Sequence, residues 1–237
     1  MDIEEILKNY ATGIRNFQNL NLQEAELTNA NLKGADFSYA DLRQTRLGKT
    51  NLSQSCLHSA DLSESILWGI DLSEADLYRA ILREADLTGA KLVNTRLEET
   101  NLIKASLCGA NLHRANLSRS LLLQADLRPS SNQRTDLGYA VLIAADLSYA
   151  DLRGASLHHA NLNKAKLCRA NLSKTIQWGN LPADLTEANL QGADLSYANL
   201  DHAILRRANL QGADLTGITL TNADLQGAIM PDGTVHD

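Results

Sequence analysis

Leucine occupies every fifth position along most of this chain. The series runs from Phe17 to Leu127, returns in the same phase from Leu137 to Leu172, and continues in a shifted phase from Leu185 to Met230. The residue two before each leucine is small and usually alanine, and the residue directly before it is often Asp or Asn, as in Ala85-Asp86-Leu87. The repeating unit is therefore A-(D/N)-L-X-X.

A period of five excludes both regular elements. Five residues advance about 500° around an α-helix, so the leucines would spiral and form no stripe. In a single strand, an odd spacing sends successive leucines to opposite faces. The leucines are buried together only if the chain bends once per repeat and coils around an axis, with the small residue and the leucine inside. We therefore predict an all-β solenoid in which neighbouring coils bury each other.

The composition agrees with such a core. Aromatic residues make up only 4% of the chain, so leucine and alanine must supply the apolar volume. The net charge of −6 argues against a nucleic-acid groove. Cys56, Cys108 and Cys168 form no CxxC pair, which favours free thiols in a reducing compartment. We see no signal peptide and no membrane-spanning run, and we expect a cytoplasmic protein.

The tandem A-(D/N)-L-X-X units resemble the pentapeptide-repeat family over nearly the whole chain. That resemblance implies a right-handed quadrilateral β-helix with four repeats per coil, and hence about ten coils here. The ends, MDIEEILKNYATGIRNFQ and GAIMPDGTVHD, and the interruptions RPSSNQRTDLGY and TIQWGNL resemble those of a cyanobacterial family member that promotes heterocyst differentiation. By that resemblance, the chain binds the master transcription regulator of the programme and opposes its inhibitory peptide.

The two ends of the chain differ. Ile3, Ile6, Leu7 and Tyr10 follow the spacing of one helix face, so residues 1–15 are predicted to form a capping helix. This helix either covers the open edges of the first coil or binds a partner. Residues 16–230 form the solenoid and 231–237 a tail. The last coils are covered by that tail or by a second copy of the chain, since family resemblance implies a possible homodimer through this end.

The repeat breaks at 128–135 and at 176–182. Pro129 and Asn132 suit the inside of a coil poorly, so the first break is expected to bulge outward, and the second to protrude as a loop carrying Trp178. Residues twenty apart should share a face on adjacent coils. That rule places a basic column beside the first break and Asp151 one coil above Ser131; the column comprises His113, Arg114, Gln133, Arg134, Arg153 and Lys174.

Two surfaces are therefore candidates for a protein partner. The first consists of Arg114, Arg128, Gln133, Arg134, Asp151 and Arg153, whose alternative interpretation is an ordinary solvated column. The second is an apolar patch in which the same rule places outward residues on one face: Ile81, Ile103, Leu121, Leu123, Val141 and Ile143. The alternative for the patch is that a loop or terminal segment covers it.

No catalytic or cofactor-binding motif is present in the sequence. His158-His159 is the only histidine pair, and the twenty-residue rule places it with His58 and Tyr78 on a polar face. The recurring Asp residues follow from the repeat, so we expect no enzyme, metal or cofactor. A regulatory protein that binds a transcription regulator is the leading function. The alternative is a DNA mimic that protects a type II topoisomerase, which requires continuous acidic faces.

Overall fold

The structure is a computed structural model that describes residues 3–131, 133–176 and 179–237. The chain opens with one helix, α1, at Ile3–Ala11 and then winds into a right-handed quadrilateral β-helix of about ten coils. The predicted fold class is confirmed. Regular strands are replaced by single-residue parallel bridges, one per side of each coil.

Four columns of bridges define four faces, which we number in the order in which the chain visits them. Within a face, each bridge residue is the one before a leucine, or before Phe17, Phe37 or Met230 where these replace leucine. Face 1 contains Asn16, Asp36, Cys56, Asp76, Arg96, Asn116, Val141, Asn161, Asn189, Asn209 and Ile229; face 2 contains Asn21, Asp41, Asp61, Ile81, Asn101, Leu121, Asp146, Lys166, Asp194 and Asp214. Face 3 contains Glu26, Arg46, Ile66, Asp86, Ser106, Asp126, Asp151, Asn171, Asn199 and Thr219; face 4 contains Asn31, Asn51, Asp71, Lys91, Asn111, Asp136, Ser156, Asp184, Ile204 and Asp224.

The repeat 85–89 shows how the sequence makes a corner. The amide of Leu87 donates to the carbonyl of Ser106 on the next coil (2.7 Å), and the Ala90 amide donates back to the Leu87 carbonyl (2.9 Å) to close a turn. Gly89, the third turn residue, has a φ of +66°, as a type II turn requires. The Asp86 carboxylate accepts the amide of Thr88 at 3.0 Å. Asp and Asn recur before leucine because their short side chains hold this turn.

The interior consists of stacked leucines and small residues, and nearly all of them are less than 2% exposed. Where Thr or Ser replaces the alanine, its hydroxyl donates to a leucine carbonyl; the Thr45 hydroxyl bonds the Leu42 carbonyl at 2.7 Å. Buried hydroxyls are thus satisfied without breaking the apolar stack.

The first coil is covered by α1. Ile6 is completely buried on the core, and Ile3 and Tyr10 pack beside it. The helix ends in a Schellman motif, in which the Ile14 amide donates to the Asn9 carbonyl and the Gly13 amide to the Tyr10 carbonyl, both at 3.0 Å. The helix therefore shields the open backbone edge at this end.

The last coil is covered less completely. Its inward residues Leu215, Leu220 and Leu225 are partly exposed, whereas their counterparts in the middle of the rod are buried. The tail folds back through an antiparallel bridge between Ile229 and Val235. It covers one side of the coil and leaves apolar surface at this end of the rod.

Both breaks change the register between coils. Asn111 pairs with Asp136 and Asp126 pairs with Asp151, which are 25 residues apart and not twenty; Ser156 pairs with Asp184, 28 residues apart. The chain therefore leaves the coil after Leu127 and after Leu172 and returns on face 4 each time. We call residues 128–135 the first insert and 173–183 the second insert.

Candidate partner-binding surface

Both inserts leave from the same corner of the coil, between faces 3 and 4. One coil separates them there, and Gly154 forms the turn of that coil with a φ of +69°. A Cβ atom on Gly154 would lie 2.7 Å from Thr175 Cγ2 and 3.1 Å from Pro129 Cγ, so each insert contacts this turn. The described residues of the two inserts therefore lie side by side at this corner, and we call them the ridge.

Arg134 joins the two inserts. Its Nε donates to the Gly154 carbonyl at 2.7 Å, and its Nη2 donates to the carbonyls of Ala155 at 3.0 Å and Pro182 at 2.6 Å. Burial lowers the pKa of this guanidinium, which nevertheless stays charged. Arg134, which the sequence places in the basic column, is therefore not a freely solvated side chain: it is half-buried and holds backbone in place. Replacing Arg134 with Glu is expected to destabilise the ridge.

The first insert packs down on Gly109. The Gln133 side-chain amide donates to the Gly109 carbonyl, and the Gly109 amide donates to the Thr135 hydroxyl at 2.8 Å. A Cβ on Gly109 would lie 2.7 Å from the Cβ of Ser130, so this position requires glycine. Asn132 and Trp178, one in each insert, lie outside the described residues.

Two arginines and two aspartates alternate along this side of the rod. Arg128 donates two hydrogen bonds to Asp126, at 2.9 and 2.7 Å. Arg153 donates three to Asp151, at distances between 2.6 and 3.1 Å. Arg128 also lies 3.6 Å from Asp151 and so connects the two pairs. Burial alone would raise the pKa of Asp126, but the bonds from Arg128 outweigh it and lower that pKa. Of the predicted basic column, Arg153 is thus neutralised by Asp151.

A cluster of aromatic rings occupies the opposite corner of face 4. Tyr139 stacks on His159 with a centroid distance of 4.7 Å and meets the edges of His113 at 5.5 Å and His158 at 5.3 Å. Arg114 lies over the Tyr139 ring at 5.8 Å. Across the described residues, no group of three or more His, Cys, Asp or Glu side chains is placed to hold a metal ion.

The twenty-residue rule is wrong across the inserts, because each insert adds residues outside the coil. Asp151 stacks on Asp126 and not on Ser131, and His158 stacks with His113 and not with His58. The predicted residues still surround face 4: Arg128, Asp151 and Arg153 line one corner, Gln133 and Arg134 lie on the face, and Arg114 lies at the other corner. Sequence reasoning missed Tyr139 and the ring cluster, which the 25-residue register would have found.

The predicted apolar patch divides for the same reason. Ile81 and Leu121 lie on face 2, and Ile103 and Leu123 follow them at its corner with face 3. Val141 lies on face 1 above Asn116, and Ile143 belongs to the corner between faces 1 and 2. Exposed fractions of 42% for Leu121 and 37% for Ile143 leave both available to solvent. Whether either part binds a partner stays a prediction.

A cavity of about 380 Å³ lies on face 4 between the ridge and the ring cluster. Its lining is polar and comprises Asn111, Gln133, Arg134, Asp136, Ser156 and His158. The Ser156 hydroxyl lies 2.8 Å from His158 Nδ1, and Asp136 lies 3.5 Å from His113 Nδ1. The cavity thus combines a half-buried cation with several hydrogen-bonding groups.

The sequence profile of pentapeptide repeats matches the chain at residues 16–54, 55–92, 90–128, 135–173 and 183–222. The chain belongs to the pentapeptide-repeat family. The gaps between the last three matched ranges coincide with the two inserts, which are the parts of the rod that leave the coil. A search of curated proteins finds no match.

Among solved structures, this pentapeptide-repeat chain is similar to HetL, a pentapeptide-repeat protein involved in heterocyst differentiation regulation from the cyanobacterium Nostoc sp. strain PCC 7120. The two are 78% identical over 100% of both chains, with a TM-score of 0.99. Rfr23 from the cyanobacterium Cyanothece 51142 is 30% identical over 62% of this chain and 91% of its own, with a TM-score of 0.30. A structure of QnrB1, a plasmid-mediated fluoroquinolone resistance protein, is 17% identical over 88% and 92%, with a TM-score of 0.37.

No helix among the described residues has the length and apolar character needed to cross a membrane. Cys56, Cys108 and Cys168 are free thiols, as expected. Burial raises the pKa of Cys108 to about 11, with nearby Asp126 contributing, so this thiol is a poor nucleophile at neutral pH.

Proposed function

We propose that this chain is a non-enzymatic regulatory protein that promotes heterocyst differentiation by binding the master transcription regulator of that programme and opposing its inhibitory peptide. The observation that carries the proposal is the similarity to HetL along the whole of both chains. A TM-score of 0.99 at full coverage includes the ridge, which distinguishes this rod from a plain solenoid. This part of the surface is the one least dictated by the repeat, and we propose that the regulator binds there.

Face 4 and its two corners are the surface that we propose for the partner. Gln133 is exposed on the ridge, Arg128, Arg153 and Asp151 offer charged groups below it, and Arg114 extends the surface to Tyr139. Arginine and tyrosine are enriched where proteins bind one another. Three carbonyls hold the Arg134 guanidinium in place on this face.

The charge pattern supports a protein partner over DNA mimicry. Each column of bridge residues is interrupted by a cation: Arg96 on face 1, Lys166 on face 2, Arg46 on face 3 and Lys91 on face 4. A duplex mimic needs continuous negative charge along the rod, since phosphates repeat at every step of DNA. Protection of a type II topoisomerase is therefore the outcome that would replace our proposal.

The open C-terminal coil supports a second, weaker proposal, a homodimer. Backbone edges and the partly exposed Leu215, Leu220 and Leu225 lie at that end of the rod, where a second copy would cover both. Light scattering on the purified chain measures the oligomeric state, and a mass of 25.8 kDa at all concentrations would refute the dimer.

We propose that the protein acts in the cytoplasm without a cofactor.

The regulatory proposal is tested by direct reconstitution. The purified regulator, loaded with its inhibitory peptide, is titrated with this chain while DNA binding by the regulator is monitored. We expect the chain to bind the regulator and to restore DNA binding. Affinity capture from a cyanobacterial lysate adds an unbiased arm. Recovery of gyrase, with no transcription regulator and no effect on the titration, would establish the alternative.

A further inference from the structure

Arg134 differs from the other thirteen arginines of the chain. Ten of them form ion pairs with Asp or Glu: Arg43, Arg46, Arg79, Arg83, Arg96, Arg119, Arg128, Arg153, Arg206 and Arg207. Arg15, Arg114 and Arg169 lie over tyrosine rings. Within the described residues, Arg134 makes no ion pair and lies over no ring. Burial lowers its pKa, and the carboxylates of Asp184 and Asp136 offset part of that effect without forming a hydrogen bond to it. A half-buried cation that no anion bonds directly is costly, and an incoming anion would offset that cost.

One edge of the Arg134 guanidinium remains available. Nε and Nη2 are occupied by the three backbone carbonyls, whereas Nη1 makes no hydrogen bond to any described residue. Arg134 also lines the cavity on face 4. The carbonyls hold the guanidinium plane rigidly, so little side-chain entropy would be lost when Nη1 donates to a ligand.

A second donor is available from Asn111 on the wall of the cavity. Its side-chain oxygen accepts the His113 amide at 3.0 Å, and its amide nitrogen makes no hydrogen bond to a described residue. The one carboxylate in the lining, that of Asp136, accepts the Gly138 amide at 2.8 Å and lies near His113. The cavity therefore offers two unused donors from different elements.

We propose that this cavity binds the carboxylate of an Asp or Glu side chain presented by the protein partner, with Arg134 Nη1 and Asn111 as donors. The proposal rests on the proposed function, because it names the chemistry of the contact that the regulator makes. A carboxylate matches a guanidinium in both charge and geometry. A volume of about 380 Å³ accommodates one acidic side chain and adjoining backbone.

A cavity of similar volume, about 370 Å³, serves as an internal comparison. It lies at the corner between faces 1 and 2 and is lined by Tyr78, Glu98, Glu99, Ser118, Arg119 and Ile143. Its arginine already has an acid, since Arg119 Nη1 lies 3.9 Å from Glu99. With two glutamates in its lining, this cavity should repel a carboxylate.

The test uses two capped peptides, acetyl-Gly-Asp-Gly-Asp-Gly-amide and the same peptide with Asn in place of Asp. Each is titrated into the ¹⁵N-labelled full chain while amide chemical shifts are recorded. We expect the Asp peptide to shift Asn111, Gln133, Ser156 and His158 and to leave Ser118 and Arg119 unchanged. The Asn peptide should shift neither set, and added salt should weaken the Asp effect. Equal shifts from both peptides, or none from either, would overturn the proposal.

Asn111→Asp is the decisive variant. Aspartate also suits this position of the repeat and still accepts the His113 amide, so the coil should fold, but it replaces a donor with a negative charge. We expect the affinity for the Asp peptide to fall by at least about tenfold, because a charged hydrogen bond is lost and repulsion is gained. The matched control is Asn101→Asp, which makes the same change at the same repeat position on face 2 and should leave the affinity unchanged. Equal losses in both variants would overturn the proposal.

The outcomes separate this proposal from the regulatory one. If the Asp peptide binds in the cavity but the transcription regulator does not bind the chain, the proposed function fails and the cavity chemistry stands. The opposite outcome has three parts: the regulator binds, the Asp peptide causes no shifts, and Asn111→Asp leaves the regulator's affinity unchanged. In that case the proposed function stands and the cavity proposal fails.

Discussion

Replacing Leu92 with alanine should test the central packing claim most directly. Leu92 is 1% exposed and occupies the leucine position between Leu72 and Leu112 on the stacked coils of face 4. The loss of a fully buried leucine removes apolar transfer free energy and leaves a cavity that neighbouring coils can fill only by breaking their ladder. We therefore expect a decrease of about 2–5 kcal/mol in the free energy of unfolding.

The assay is urea denaturation followed by circular dichroism, with thermal melting as a second measurement. For a chain of this length, the expected loss lowers the melting temperature by roughly 4–20 °C. Val93→Ala is the control, since Val93 is the next residue but lies in the outward turn and is only partly buried. Leu225→Ala, in the partly exposed last coil, should fall between the two.

The reasoning is refuted if Leu92→Ala costs no more than Val93→Ala. A midpoint change with an unchanged dependence on urea would indicate that the rod unfolds as one unit. A changed dependence would indicate that coils on either side of the cavity unfold separately, as solenoids permit. In both cases the loss should exceed that of the control.

Gly154→Ala should destabilise the protein more than Gly89→Ala, because both glycines have a positive φ but only a side chain at Gly154 would clash with Thr175 and Pro129. Paired urea titrations measure the difference in stability. Equal losses would show that the inserts do not pack on this turn. Ile6→Ala should lower the free energy of unfolding by about 2–5 kcal/mol and promote association through the uncovered coil, whereas Leu7→Ala, on the exposed side of α1, should do neither. Urea denaturation measures the first effect, and gel filtration with light scattering measures the second. Acid should destabilise the rod. Burial alone would raise the pKa of Asp36, but hydrogen bonds from Ser38 and Gln18 outweigh burial and lower that pKa in the folded state. The ionised Asp36 therefore contributes its full stabilisation above the pKa of the unfolded chain, near 4, and the contribution decreases as the pH falls below that value. Asp36→Asn keeps an oxygen acceptor and should flatten part of this pH dependence in melts between pH 3 and about pH 6; an unchanged profile would exclude Asp36 as a contributor.

The inserts show how far local pattern carries. The sequence indicates that residues 128–135 suit the interior poorly, and the structure places the return to the coil at Asp136. It does not reveal that five extra residues leave the later coils rotated by one face relative to a twenty-residue count. That miscount placed Val141 above Leu121, and His158 on the same face as His58. The structure places Val141 on face 1 and Leu121 on face 2, and it places the two histidines at different corners. An inserted pentapeptide could equally form another side of the coil, and only pairing between coils decides against that.

The sequence by itself determined the coil, its leucine interior and its outward-facing turns, because every repeat has the same pattern of small, Asp or Asn, and leucine residues. Period, turn chemistry and side-chain alternation act within five residues and need no knowledge of distant contacts. Only the tertiary structure decided that the two inserts share a corner and that Arg134 joins them through the carbonyls of Gly154, Ala155 and Pro182. The same holds for the contacts of the Tyr139 ring with three histidine rings. Those contacts depend on the register between coils. The register is set by the backbone pairings along the whole rod, and no single repeat determines it.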